Sequence, residues 1–262
     1  MPKCINKVIV FDLDDTIGHF EEISIFLFGL QNIFGKKITD NYVFNLLDLW
    51  PKFLRLGIID ILETIKKQKK KDKCVKVVIY TNNMGPRRWT LLIKNYLEKK
   101  INYPLFDKVI TAYRPNDRNN CRSSHNKSYN DLLRCTGYGE NTKFLFLDDQ
   151  HHPYMRNNNI NYIHLVPYDY GMPFNKMINS FISSKYGNLI KKKDVNRFRD
   201  YMFRYMNSGN SYNKYIIRRS KITKKDIEQL RVIKKQLRKF LNIKRTRNKK
   251  KKRNSSKTRK NK

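Results

Sequence analysis

Two aspartates, Asp12 and Asp14, stand at the end of an apolar, β-branched run over residues 8–11. Such a run predicts a buried strand, and burying a carboxylate is costly unless a cation compensates its charge. Because the two aspartates are separated by one position, their side chains would share a face of a continuing strand. Carboxylate oxygens suit Mg²⁺, which often takes one or two carboxylates together with a substrate phosphate. The pair therefore indicates cation binding or chemistry at this point of the chain.

Four further polar residues stand near the ends of other apolar runs: Thr81, Lys127, Asp148 and Asp149. Thr81 ends the run VKVVIYT, Asp148 and Asp149 follow FLFL, and Lys127 precedes a short predicted helix over residues 129–134. Open α/β sheets bind their ligands where the carboxyl ends of parallel strands meet. We therefore expect all these side chains to assemble at one edge of a sheet.

The elements that would position them alternate between strands and helices, which predicts an α/β fold with a parallel sheet. The predicted strands cover residues 7–13, 75–81, 108–112, 143–147 and 162–166. A helical stretch over residues 23–50 is too long for a tight connection, so we expect a small insertion after the first strand. Helices flanking the sheet complete a Rossmann-like domain.

The order of these motifs resembles the haloacid dehalogenase (HAD) superfamily of aspartate-nucleophile phosphotransferases. The first motif reads DLDDT over residues 12–16, followed by Thr81, by a downstream Lys127 and by the pair Asp148-Asp149. The resemblance covers about residues 5–185. It implies a Rossmann-like HAD fold, a Mg²⁺ cofactor and a covalent aspartyl-phosphate intermediate.

The same resemblance implies a role for each motif residue. Asp12 would be the nucleophile, and Asp14 would protonate the leaving group and then activate water. Thr81 would donate a hydrogen bond to the phosphoryl group, and Lys127 would neutralise its charge. The implied metal ligands are Asp12, Asp14 (through its main-chain carbonyl), Asp148 and Asp149. The residues expected to contact substrate are Thr16, Asn82 and Arg114.

Within the superfamily, the chain looks most like the RNA polymerase C-terminal-domain phosphatases, also called NLI-interacting-factor-like. The similarity is carried by DLDDT, by FLRLGIIDILETI before VVIYTNN, by NKSYNDLL around Lys127, and by Arg114 between the second and third motifs. The chain departs from that family in a longer segment over residues 113–126 and in QHHP after the fourth motif, where Ser-Pro is usual. The resemblance implies a phosphorylated protein substrate, with phosphoserine or phosphothreonine. The short spacing between the first two motifs leaves no room for a large cap, so an open site is expected.

Other interpretations remain open at this level. A nucleotide or nucleic-acid-end phosphatase of the same fold would carry the same motifs, and a non-catalytic nucleic-acid-binding module could retain the fold. Asp12 and Asp14 alone would also suit a turn after a strand. Arg122 competes with Lys127 for the role of the site's cation.

The charge of the chain is concentrated towards its C-terminus. The net charge is +35, and residues 191–262 contain 29 lysines and arginines but four acidic residues. We therefore divide the chain into a HAD-like domain over residues 1–186, a basic and partly helical extension over 187–243, and a tail over 244–262 that is expected to be disordered. In the extension, Thr223 is a plausible N-cap of a helix. The tail could bind nucleic acid or act as a nuclear localisation signal, or it could be a solvated end.

The four cysteines form no CxxC pair. Neither a disulfide framework nor a cysteine-rich zinc site is therefore expected. The sequence shows neither a signal peptide nor an apolar run of transmembrane length, which favours an intracellular, reducing location and no membrane partner. The oligomeric state is left undetermined.

Overall fold

The computed structural model describes residues 6–35, 39–115, 117, 120–208 and 220–244. In this part of the chain, five strands form one parallel sheet in the order β3-β2-β1-β4-β5. The strands are β1 Lys7–Phe11, β2 Val75–Tyr80, β3 Lys108–Ile110, β4 Lys143–Asp148 and β5 Ile160–His164. The predicted Rossmann-like α/β fold is confirmed.

Helices cover both faces of the sheet, as a parallel sheet requires. They are α1 Glu21–Phe34, α2 Asp40–Leu49, α3 Ile58–Lys71, α4 Arg87–Ile101, α5 Tyr129–Thr136, α6 Phe174–Ile182, α7 Val195–Ser208 and α8 Lys224–Phe240. Along β1, Ile9 and Phe11 face one apolar cluster while Val8 and Val10 face the other. Successive side chains of a strand point to opposite faces, so β1 is buried on both sides.

The insertion after β1 consists of two helices where the sequence predicted one helical stretch over residues 23–50. Gly35 ends α1 with a φ of 59°, a left-handed conformation that glycine adopts readily. The apolar pattern continues into α2, which is why periodicity alone did not separate the helices. The fifth strand also starts earlier than predicted, at Ile160.

The C-terminal extension packs onto the domain. On α7, Phe198, Met202 and Met206 are buried, and α7 contacts α1 and α6. On α8, Ile233 and Leu237 are buried in the same apolar cluster. Each fully buried side chain of this size contributes roughly 1.5–3 kcal/mol, so both helices stabilise the domain.

The N-terminus of α8 is capped as predicted. The Thr223 hydroxyl accepts from the Asp226 N–H, and the Asp226 carboxylate accepts from the Thr223 N–H at 2.7 Å. Such a reciprocal arrangement satisfies two backbone donors that a helix start leaves open. Residues 209–219 of the extension and 245–262 of the predicted tail lie outside the described residues.

Among the helices described, none combines the length and the apolar character that crossing a membrane requires.

One expectation from the cysteines is wrong. Cys121 and Cys135 are joined by a disulfide bond, although the sequence indicated no disulfide framework. Their separation of 14 residues matches no simple motif, and the pair forms because the loop before α5 folds back against that helix. Because disulfides are rare in reducing compartments, the cysteines no longer support a reducing location.

Candidate active site

The carboxyl ends of three neighbouring strands bring the predicted polar residues to one edge of the sheet. Backbone hydrogen bonds continue just past the strand ends. The Asp12 N–H donates to the Leu147 carbonyl at 2.9 Å, and the Thr81 N–H donates to the Ile110 carbonyl at 3.0 Å. Asp148 is the last residue of β4. The backbone positions of these groups are therefore set by the sheet itself.

The sequence placed Asp12 and Asp14 on one face if the first strand continued through them, but the strand stops before Asp12. β1 ends at Phe11, and the chain turns at Asp15, whose φ is 54°. The turn is closed by the Asp15 N–H, which donates to the Gly18 carbonyl at 2.8 Å. Asp14 therefore lies between the end of β1 and this turn, outside the regular strand.

Lys127 is the buried cation of this site. Its Nζ donates to Asp12 Oδ1 at 2.5 Å and to Asp148 Oδ2 at 2.7 Å, and the residue is 2% exposed. The ammonium also lies 5.7 Å from the ring centroid of Tyr80 and 5.9 Å from that of Phe146. One ammonium therefore bridges two carboxylates that belong to different strands.

Burial shifts the pKa values of the two carboxylates that contact Lys127. It raises the pKa of Asp12 to about 8, against the opposing effect of the Lys127 ammonium. Burial also acts to raise the pKa of Asp148, but the hydrogen bond from His152 and the charge of Lys127 outweigh it and lower that pKa. The two carboxylates that contact Lys127 are therefore shifted in opposite directions, the pKa of Asp12 upwards and that of Asp148 downwards.

Three carboxylates could hold a metal ion. Oxygens of Asp12, Asp148 and Asp149 lie within 4.8 Å of one another and are buried. The Thr16 hydroxyl donates to Asp149 Oδ1 at 3.0 Å and orients that carboxylate. An all-oxygen, anionic donor set of this kind fits Mg²⁺. The Asp14 carboxylate is outside this set, which leaves its main-chain carbonyl as the predicted ligand.

Asp14 has a different environment. Burial raises its pKa, against a hydrogen bond in which Asn83 Nδ2 donates to Asp14 Oδ2 at 2.6 Å. The same Asn83 is tied to the second motif, because its N–H donates to the Thr81 hydroxyl oxygen at 3.0 Å. A carboxyl group with a raised pKa is suited to donate and accept a proton near neutral pH.

The three residues predicted to contact substrate are engaged in contacts within the protein. Thr16 is directed to Asp149, and Asn82 accepts a hydrogen bond from Arg122 Nη1 at 2.7 Å. Arg114 donates to two carbonyls of the loop after β2, at 2.9 and 2.6 Å. These contacts brace the loops around the site, and the substrate-binding role of the three residues stays a prediction.

Arg122 is directed away from the carboxylates. Its Nη1 also lies 3.2 Å from the Thr81 carbonyl, to which it donates, and its guanidinium stacks 4.9 Å from the Tyr80 ring centroid. The neighbouring disulfide of Cys121 fixes this segment to α5. Of the two cations that competed in the sequence, Lys127 reaches the carboxylates and Arg122 braces the loop after β2.

Sequence reasoning missed three residues of the site. Asn83 was passed over for its neighbour Asn82, and His152, whose Nε2 lies 3.2 Å from Asp148 Oδ2, was not assigned a role. The third is Arg55, which is buried and donates to the carbonyls of Asp15 and Thr16 at 2.5 and 2.6 Å. The adjacent TNN and QHHP segments could have directed attention to the first two. Arg55 lies in the FLRLGIIDILETI segment that carried part of the family resemblance, but no role was assigned to it there.

An apolar cavity opens beside Asp14 and Asn83. Its volume is about 660 Å³, and it lies between α1 and the start of α4. Its apolar wall includes Phe20, Leu27, Phe28, Val43, Trp89 and Leu92. The cavity could receive a bulky apolar group attached to whatever reacts at the carboxylates.

Neither a comparison with models of known protein families nor a comparison with curated proteins finds a match to this chain. The function therefore has to be argued from the geometry of the site.

Proposed function

We propose that this chain is a Mg²⁺-dependent phosphatase that forms an aspartyl-phosphate on Asp12. The observation that carries the proposal is the buried contact of Lys127 with both Asp12 and Asp148, next to Asp149. Removing three carboxylates from water is unfavourable, and a fold has no structural need to gather them at one ammonium. A site that receives a divalent cation and a phosphate does have that need.

The reaction would proceed in two steps. An Asp12 oxygen attacks phosphorus in line, the bond from phosphorus to the substrate oxygen breaks, and Asp14 gives that oxygen its proton. Water then attacks the aspartyl-phosphate while the Asp14 carboxylate takes a proton from it. Inorganic phosphate leaves, and Asp12 and Asp14 return to their starting forms. The raised pKa of Asp14 supports its role as the proton donor.

The remaining residues would position and neutralise the phosphate. Lys127 would offset the charge on Asp12 and on the phosphoryl group, and the Thr81 hydroxyl would donate to a phosphoryl oxygen. Asp12, Asp148 and Asp149 would hold Mg²⁺, which when bound shields the carboxylate from the anionic substrate. Thr16 and His152 would orient the two carboxylates of the fourth motif.

The proposed substrate is phosphoserine or phosphothreonine in a protein. The apolar cavity beside Asp14 supports a leaving group with bulky apolar neighbours, because Asp14 is the residue next to the departing oxygen. We expect phosphopeptides with an aromatic or aliphatic residue near the phosphorylated position to be turned over faster than polar ones.

The direct test is the variant Asp12→Asn. We expect it to lose phosphate release from an aryl phosphate by at least about 10⁴-fold while keeping the unfolding midpoint, because a neutral amide cannot form the acyl-phosphate. Asp60→Asn, which changes an exposed carboxylate on α3, is the matched control and should keep full activity. Full activity in the Asp12→Asn variant, or activity indifferent to chelation of Mg²⁺, would contradict the mechanism.

A second candidate is a phosphatase acting on nucleic-acid ends, and the basic surface of α8 favours it. Comparing turnover of phosphopeptides with that of 3′- and 5′-phosphorylated oligonucleotides decides between the two substrates. A chain without turnover of any phosphate ester would instead be the non-catalytic binding module.

A further inference from the structure

Helix α8 has one apolar face and one basic face. Ile233, Leu237 and the adjoining Leu241 are buried against the domain. The opposite face carries exposed residues at helical spacing, with one acidic member among them: Lys224, Glu228, Arg231, Lys235, Arg238 and Lys239. Because the apolar face is packed in the core, the basic face is held by a helix that cannot rotate.

The cations on this face are available to a partner. Lys234 contacts Asp60 at 3.4 Å, whereas within the described residues Arg231, Lys235 and Arg238 form no ion pair. Their side chains line two adjoining grooves of about 660 and 580 Å³ that share Arg231 and Lys235. The three cations therefore lie along one exposed strip of the helix.

The basic face is separate from the candidate active site. Gln229, near the start of α8, accepts from the Val166 N–H at 3.4 Å, and Asn242, after its end, lies 3.1 Å from Lys7 Nζ. Lys7 begins β1, so the helix runs from the catalytic edge of the sheet towards the opposite edge. Arg231, Lys235 and Arg238 therefore lie along the side of the domain.

We propose that the exposed face of α8 binds the phosphodiester backbone of double-stranded nucleic acid, independently of its sequence. Lysine and arginine contacts to phosphates supply most of such affinity. Residues 245–262 add 11 lysines and arginines and no acidic residue, which suits a partner with regularly repeated negative charge. The proposal goes beyond the phosphatase and does not depend on it.

The other features of α8 favour nucleic acid over competing partners. Insertion into a membrane surface needs a free apolar face, and the apolar face of α8 is buried. The exposed face carries no aromatic side chain, so stacking on unpaired bases is not available and a duplex is the better fit.

The test measures binding of the full-length chain to a duplex of about 20 base pairs, made once as DNA and once as RNA, across a salt range of about 50–200 mM. The variant replaces Arg231, Lys235 and Arg238 by Gln. The matched control replaces three exposed lysines of the same extension, Lys191, Lys192 and Lys193, by Gln and removes the same charge.

We expect the α8 variant to bind at least about tenfold more weakly and to lose about three from the slope of log K against log salt. The control should stay within about threefold of the natural chain. Unfolding midpoints check that both variants fold, and Lys235→Gln alone, with about one third of the slope change, replaces the triple variant if that one unfolds. The duplex that binds more tightly identifies whether the partner is DNA or RNA.

Four results would overturn the proposal. An unchanged slope in the α8 variant would show that these three cations do not contact the phosphates. An equal loss in the control would show that net charge rather than this face is responsible. Tighter binding of poly-glutamate than of either duplex would assign the face to an acidic protein. Tighter binding to vesicles rich in anionic lipid would assign it to a membrane surface.

Discussion

At the scale of single residues, Lys127 organises the site. It neutralises two carboxylates from different strands, and it is as buried as the apolar side chains around it. Such a residue serves both the fold and the proposed chemistry, so its removal should be visible in stability as well as in activity.

Replacing Lys127 by Met should lower the free energy of unfolding by about 3–5 kcal/mol at pH 8, because Asp12 and Asp148 are then buried without a cation. Without the ammonium, the folded-state pKa of Asp12 rises further above 3.8, the ordinary value for Asp, and the pKa of Asp148 loses one of the interactions that hold it below that value. Stability is then fully present below pH 3.8 and falls as the pH rises through the raised pKa of Asp12.

Denaturant unfolding at pH 5 and pH 8 measures this effect, and the loss should be smaller at pH 5. Lys143→Met, which removes an exposed lysine on β4, should change stability little at either pH. A loss independent of pH would mean that packing of the lysine chain, rather than its charge, stabilises the site.

Asn83 is the second residue whose role can be tested. Asn83→Ala removes the hydrogen bond that holds the pKa of Asp14 down against burial. We expect about tenfold slower turnover of an aryl phosphate and an acidic limb of the rate profile at higher pH, because the Asp14 carboxylate must be free to activate water. Asn95→Ala, on the exposed side of α4, should leave both rate and profile unchanged. An unshifted profile in Asn83→Ala would remove Asn83 from the proton-transfer step.

At the scale of elements, the segment between β3 and α5 includes residues 113–126, the stretch that is longer than in the family the chain resembles. Arg122 ties it to the loop after β2, and the Cys121–Cys135 disulfide ties it to α5. Two cross-links of different chemistry therefore fix the segment that leads to Lys127, which lies five residues after Arg122.

The disulfide should contribute measurably to stability. Closing a loop of about 15 residues is worth about 3 kcal/mol in the chain-entropy account. The double variant Cys121→Ser, Cys135→Ser should lose roughly that amount in denaturant unfolding and should have a higher KM for an aryl phosphate. The corresponding double Ala variant controls for the added hydroxyls. Unchanged stability in both would mean that Arg122 alone holds the segment.

At the scale of the whole molecule, the extension is part of the domain rather than an appendage. Helices α7 and α8 bury side chains in the same apolar cluster as the sheet. Arg55 links the turn after β1 to the segment after β5, because it donates to the carbonyls of Asp15, Thr16 and Val166. The order of the candidate active site therefore depends on packing far from it.

Deleting residues 245–262 should leave the unfolding midpoint and the turnover of phosphopeptides unchanged, because the helices that complete the core remain. Turnover of phosphorylated duplex ends would fall, and become less sensitive to salt, if the chain acts on nucleic acid. A longer deletion that starts at Lys221 removes Ile233 and Leu237 from the core and should lower stability. Loss of phosphopeptide turnover in the short deletion would place the tail in the proposed protein-phosphatase activity.

The sequence alone indicated the parallel sheet and the carboxylates at the ends of β1 and β4, whereas Lys127 as their cation was implied by the family resemblance and had Arg122 as its competitor. These features are encoded locally: an apolar run predicts a buried strand, and a polar residue at its end predicts a group at the edge of the sheet.

The tertiary structure alone decided which side chains meet. It placed Asn83 rather than Asn82 on Asp14, brought His152 to Asp148, joined Cys121 to Cys135, and set Arg55 under the turn after β1. It also showed that α8 presents its cations on a fixed face. Each of these contacts depends on how loops and helices far apart in the chain return to the sheet, and such returns leave no periodic signal in the sequence.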